Sequence, residues 1–92
     1  MLFFTDKQGK EVQLNSEAIK HISKHISLKE NLHLIENVMK NPEIITVDEE
    51  REDIQYIQKF LKNEDLYLII VIKIKQTFDS IITIYKSKKP KV

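Results

Sequence analysis

Two of the chain's three histidines, His21 and His25, stand four residues apart. On a helix that spacing puts both rings on one side, about one turn from each other. Such a pair can ligate zinc, can sit half-exposed with no role, or can move protons near neutral pH. Imidazole suits the last task because its unperturbed pKa lies near 6.5. Zinc fits these residues poorly. It needs a third protein ligand and, in the helical His-x-x-x-His motif, a Glu base. Here Ile22, Ser23 and Lys24 intervene, Lys24 repels a cation, no cysteine is available, and His33 lies beyond with no matching spacing. No metal and no cofactor is therefore expected. The other two uses stay open on the residues alone.

The elements that must carry this pair follow from periodicity. Residues 2–5 and 11–14 are apolar-rich runs around a polar loop that holds the only glycine, Gly9, and they read as a β-hairpin. Asn15 or Ser16 can cap a short helix over 17–26, where Ala18, Ile19, Ile22 and Ile26 form one apolar face. Ser27 and Glu30 have the spacing of a capping box. Leu28, Leu32, Ile35 and Met39 then follow at helical spacing, until Asn41-Pro42 stops the helix.

Beyond Pro42 the period falls to two. Strands are predicted over 43–47, 54–61, 66–75 and 80–85, with turns at 62–65 and 76–79. Short turns make neighbours antiparallel. The fold class is thus α+β: an N-terminal β-hairpin, two helices, then an antiparallel β-meander sheet with the helices packed on one face. Alternation places Leu68, Ile70, Ile72 and Ile74 against the helices, with Ile82 and Ile84 sharing one face of the last strand. Lys73, Thr83 and Tyr85 are left on the face away from the helical layer, able to line a shallow open groove.

At 92 residues, with 41% hydrophobic and 32% charged residues, the chain has the size and balance of a single globular domain over 1–92. The absence of cysteine fits a reducing cytoplasm. The longest apolar run, residues 66–72, is too short to span a membrane, and the apolar start is too short for a signal peptide. Net charge is +1, so no global field attracts nucleic acid. Acidic residues gather at 48–53, as a solvated or partner-docking loop. Lysines gather in the tail, 86–92, which reads as frayed or as a local attraction for phosphate.

His21-Ile22-Ser23-Lys24-His25, Val38-Met39-Lys40-Asn41-Pro42-Glu43-Ile44-Ile45, Tyr56-Ile57-Gln58-Lys59, Leu68-Ile69-Ile70-Val71-Ile72-Lys73 and Ile82-Thr83-Ile84-Tyr85-Lys86 occur in that order. Together they resemble the small phage-associated nucleases of the barnase/EndoU/colicin/RelE-like (BECR-fold) group. Two positions depart: Ile26 stands where a proline often follows the second histidine, and Ile84 where a smaller residue is usual. The resemblance implies a metal-independent endoribonuclease that cleaves RNA by 2′-OH transesterification to a 2′,3′-cyclic phosphate, with a toxin as one form. It implies that His21 and His25 share the acid and base roles, and that Lys73 offsets developing charge. Thr83 and Tyr85 would donate hydroxyls to phosphate, or Tyr85 would stack on a base, and Lys24, Lys59 and Lys86 would bind substrate. RNA is the expected partner, together with a protein inhibitor or antitoxin. The competing reading is a non-catalytic binding, antitoxin-like or phage accessory protein on the same fold.

Overall fold

The computed structural model describes residues 2–92. The chain opens with the expected hairpin, β1 (Leu2–Thr5) paired antiparallel to β2 (Glu11–Leu14). Asp6 shapes the loop: its Oδ1 accepts from the backbone N–H groups of Gln8 and Lys10 at 2.9 and 2.8 Å, an Asx-type turn. Gly9 has φ +85° with open space where a Cβ would stand. The loop therefore needs glycine for its left-handed backbone and not for clearance.

Helix α1 (Ser16–Ile22) is capped by Asn15, whose Oδ1 accepts from the Ala18 N–H at 2.9 Å. It is shorter than its apolar stripe predicts. Ser23 Oγ donates back to the Ile19 carbonyl at 2.7 Å, a local bond that competes with continuing the helix. The amides of His25 and Ile26 then both close on the Ile22 carbonyl, at 2.8 and 3.0 Å. A tight turn results, anchored by fully buried Ile22 on one side and half-buried Ile26 on the other.

Helix α2 (Leu28–Lys40) starts at Ser27, whose hydroxyl accepts from Glu30 N–H at 3.4 Å. The side chain that reaches back is Asn31 rather than Glu30, its Nδ2 donating to the Ser27 carbonyl at 2.6 Å.

Four strands follow: β3 (Ile44–Val47), β4 (Ile54–Leu61), β5 (Leu66–Lys73) and β6 (Asp79–Ser87). They form the antiparallel meander that alternation predicts, but the hairpin is not separate from it. All six strands make one sheet in the order β1-β2-β6-β5-β4-β3, closed by a short parallel contact of β2 with β6 at Val12–Asp79 and Gln13–Ser80. Asp79, predicted to lie in a turn, opens β6 instead. Its buried carboxylate accepts from Lys10 Nζ at 2.9 Å and from the Lys75 N–H at 3.2 Å, tying the hairpin loop to the start of β6.

Both helices lie on one face of the sheet. There Ile22, Ile35, Val38 and Met39 pack on Val12, Leu14, Ile57, Leu68, Ile70, Ile72, Ile81 and Ile84. The last strand departs from strict alternation. Val71 pairs with Thr83 but Ile72 with Ile81, so Ile82 is the extra residue of a β-bulge. The bulge turns Ile81 into the helix-side core, leaves Ile82 40% exposed, and keeps Ile84 buried. The predicted pairing of Ile82 with Ile84 on one face fails for that reason.

A smaller apolar layer, Ile54, Ile69 and Val71 under Tyr56, Tyr67 and Tyr85, covers the far face. The chain after β6 returns across this face. Gln58, with no exposure at all, donates from Nε2 to the Lys91 carbonyl and accepts from the Lys91 N–H, both at 2.7 Å. Thr46 Oγ1 donates to the same carbonyl at 3.2 Å. The tail, expected to be frayed, is thus fixed to the sheet at Lys91. Among the described residues no helix is long and apolar enough to cross a membrane.

Candidate active site

The early turn that ends α1 brings His21 and His25 together. Their ring centroids are 5.3 Å apart and the planes meet at 73°, edge to face. Both residues are exposed, as is Lys24 between them. Helix α1 packs on β6. His21 shares a depression of about 250 Å³ with Asn15, Glu17, Ala18, Ile81 and Ile82. The location has a simple origin. β2 pairs with β6 over two residues only, so the edge of β6 beyond Ser80 has no strand beside it. Helix α1, leaving β2 directly through Asn15, lies along that edge, where the bulge exposes Ile82.

Lys73, Thr83 and Tyr85 lie on the far face, as alternation predicts. The register sets Thr83 beside Val71 and Tyr85 beside Ile69. Tyr85 packs over the small apolar layer, while Lys73 and Thr83 are half-exposed. Lys73 has no carboxylate in ion-pair range among the described residues. The sequence-predicted residues therefore form two groups. The imidazoles stand at the edge of β6 on the helix side, and the hydroxyls and Lys73 stand on the far face of the same strand and its neighbour. The bulge at Ile82 lies between them.

Lys59 and Lys86 belong to neither group. Both pair with Leu68 across the ladder, on the helix side, where Lys59 Nζ donates to Asn37 Oδ1 at 3.0 Å and Lys86 is ion-paired with Glu64. Among the described residues no three His, Cys, Asp or Glu side chains cluster as a metal site requires.

Three polar residues were given no role of their own by the sequence reading. Glu17 lines the His21 depression one helical turn before it, and its i,i+4 spacing was the available signal. Gln58 looked like any strand glutamine. Tyr56 was assigned no partner, yet its hydroxyl donates to Asp48 Oδ1 at 2.6 Å.

That bond holds the Asp48 carboxyl below its usual range, helped by the Glu50 N–H and opposed by burial. It pushes the Tyr56 phenol up to about 12, with burial and the Asp48 charge acting the same way. Because the folded-state value lies above that of a free tyrosine, this contribution to stability is complete below about pH 10 and is lost as pH rises toward 12. In an ultraviolet titration of phenolate, Tyr56 is expected to ionise above the range of a free tyrosine. Asp48→Asn is expected to bring its ionisation to lower pH. An unchanged titration in that variant would contradict the bond.

Fold and site together define a small α+β domain in which an imidazole pair meets the edge of an open sheet. The chain belongs to the phage-Barnase-EndoU-ColicinE5/D-RelE like nuclease2 family (PBECR2), whose model matches residues 2–92. No curated protein and no solved structure matches it.

Proposed function

We propose that the protein is a metal-independent endoribonuclease that cleaves RNA by transesterification. The observation that carries this reading is the His21–His25 pair, 5.3 Å between rings, set at the end of the helix that covers the bulged edge of β6 and on the turn that follows it. One imidazole takes the proton from a ribose 2′-OH, and that oxygen attacks the adjacent phosphorus. The bond from phosphorus to the 5′-oxygen breaks, and the second, protonated imidazole supplies the proton the leaving oxygen needs. The products are a 2′,3′-cyclic phosphate and a 5′-hydroxyl. Lys73 and the Thr83 and Tyr85 hydroxyls, on the far face, meet the adjoining backbone phosphate, or Tyr85 stacks on a base, as the RNA rounds the bulge from one face to the other. Lys24, exposed between the histidines, meets a neighbouring phosphate.

The separation of the two groups by the sheet favours one second reading: a protein that binds RNA, or an inhibitor, on this fold without cutting. One experiment separates the two. Purified protein incubated with mixed RNA is expected to yield cyclic-phosphate ends at the same rate with and without EDTA. Intact RNA under both conditions rejects the nuclease reading and leaves the binding one. Loss of cutting with EDTA alone rejects metal independence.

A further inference from the structure

The most heavily built feature outside the histidine site is the fixing of the tail. Gln58 is fully buried in the middle of β4 and spends both ends of its amide on one backbone unit, that of Lys91. A buried glutamine with only one end satisfied would be costly, so this pair is a two-point clamp that holds only while the tail is in place. Thr46 adds a third bond to the same carbonyl. Lys91 Nζ sits 5.4 Å over the Tyr56 ring, and its charge favours the ionised Asp48.

The clamp fixes a path. β6 ends at Ser87, which pairs with Tyr67 at one end of the far face, and the chain must reach Gln58 two strands away by Lys91. Ser87 Oγ accepts from the Lys89 N–H at 3.2 Å and starts the bend. Lys88 and Lys89 therefore follow in the bend directly after Ser87, the residue that pairs with Tyr67. Both are exposed, and neither pairs with a carboxylate among the described residues. Lys86, on the other face, is already occupied by Glu64. The bend is thus a pair of uncommitted cations at the end of a face that also presents Tyr67, Tyr85, Thr83 and Lys73. Lys91 itself lies over Tyr56 and shares a depression with Asp48, Glu49 and Glu50, whose negative charge disfavours an anion there.

We propose that Lys88 and Lys89 form a phosphate subsite for single-stranded RNA at the Tyr67 end of the far face, and that Gln58 is the positioning residue that holds it there. The subsite deepens the nuclease reading and rests on it for the identity of the ligand. A flexible single strand can lay bases on Tyr67 and Tyr85 while its backbone runs over the bend, whereas a rigid duplex cannot splay its bases onto the face.

The test measures binding of a labelled oligouridylate in a background that cannot cut, His21→Ala with His25→Ala, as a function of salt. Lys88→Ala with Lys89→Ala is expected to weaken binding about three- to tenfold and to flatten the salt dependence by about 1.4, the release expected for two phosphates on a single strand. Gln58→Leu, which keeps the volume and removes the clamp, is expected to free the Lys91 amide to hydrogen exchange and to weaken binding with a smaller loss of slope. Unchanged affinity and slope in the lysine pair overturns the subsite, whatever Gln58→Leu does to the fold. If the parent protein cuts RNA while the lysine pair binds normally, the subsite alone falls. If the parent neither cuts nor binds RNA, both readings fall together.

Discussion

Replacing His21 by Ala is expected to lower RNA cleavage by about 10²- to 10⁴-fold, the usual contribution of a positioned acid or base, without disturbing the fold. His21 is exposed, and its ring contact is with His25. His25→Ala should do the same. The double variant should fall little further than either single one, because groups that act as a unit fail together. The two variants should lose opposite limbs of the pH–rate profile, which would assign the acid and the base. Melting temperature and circular dichroism should remain those of the parent, since neither ring belongs to the core. Cleavage that persists at the parental rate in both variants would move the chemistry away from α1 altogether.

The geometry shows why the sequence could suggest this pair but not its setting. The four-residue spacing survives although the helix does not. The histidines were read as lying on one helix; in fact a turn carries the second, and the closures onto Ile22 restore the proximity. The setting depends on β6. Its bulge adds one residue to a ladder, and neither glycine nor proline marks the place: Ile81 and Ile82 are chemically alike, so alternation runs through them unbroken. The two-residue parallel contact between β2 and β6 is equally silent. Parallel pairing between distant strands has no turn to announce it, and Asp79 reads as a turn residue until Lys10 is seen beside it.

What was legible depends on local pattern. Both hairpin strands and the eight residues of β4 fall at their expected bounds, since period two and polar turns are written in adjacent residues. What was hidden depends on contacts across the chain. Gln58 is buried by a tail more than thirty positions away. The electrostatic disposition is hidden for a similar reason. A net charge of +1 conceals that Lys59 and Lys86 are taken up by Asn37 and Glu64, while Lys73, Lys88 and Lys89 have no such partner among the described residues. Counting charges cannot reveal which of them are spent.

Two neighbours on β5 test the layered architecture itself. Ile70 and Ile69 are both buried, at 0% and 1% exposure, but on opposite faces. Ile70 lies between Ile57 and Ile84 in the main core under the helices. Ile69 lies between Gln58 and Tyr85 in the smaller layer. Truncating a buried isoleucine to alanine costs about 2–5 kcal/mol, with the position in that range set by how far the surroundings collapse into the space. Around Ile70 the neighbours are strand and helix side chains fixed by the fold on every side, so Ile70→Ala is expected near 4 kcal/mol. Over Ile69 the cover is tyrosine rings and a returning tail, which can settle inward, so Ile69→Ala is expected near 2 kcal/mol. Urea unfolding should report the difference as a shift in midpoint at constant slope. For a domain whose whole stability is of order 5–15 kcal/mol, Ile70→Ala alone should remove roughly a quarter to four-fifths of it, and Ile69→Ala about half as much. A cost for Ile69→Ala equal to that of Ile70→Ala would mean that the far face is packed as rigidly as the main core.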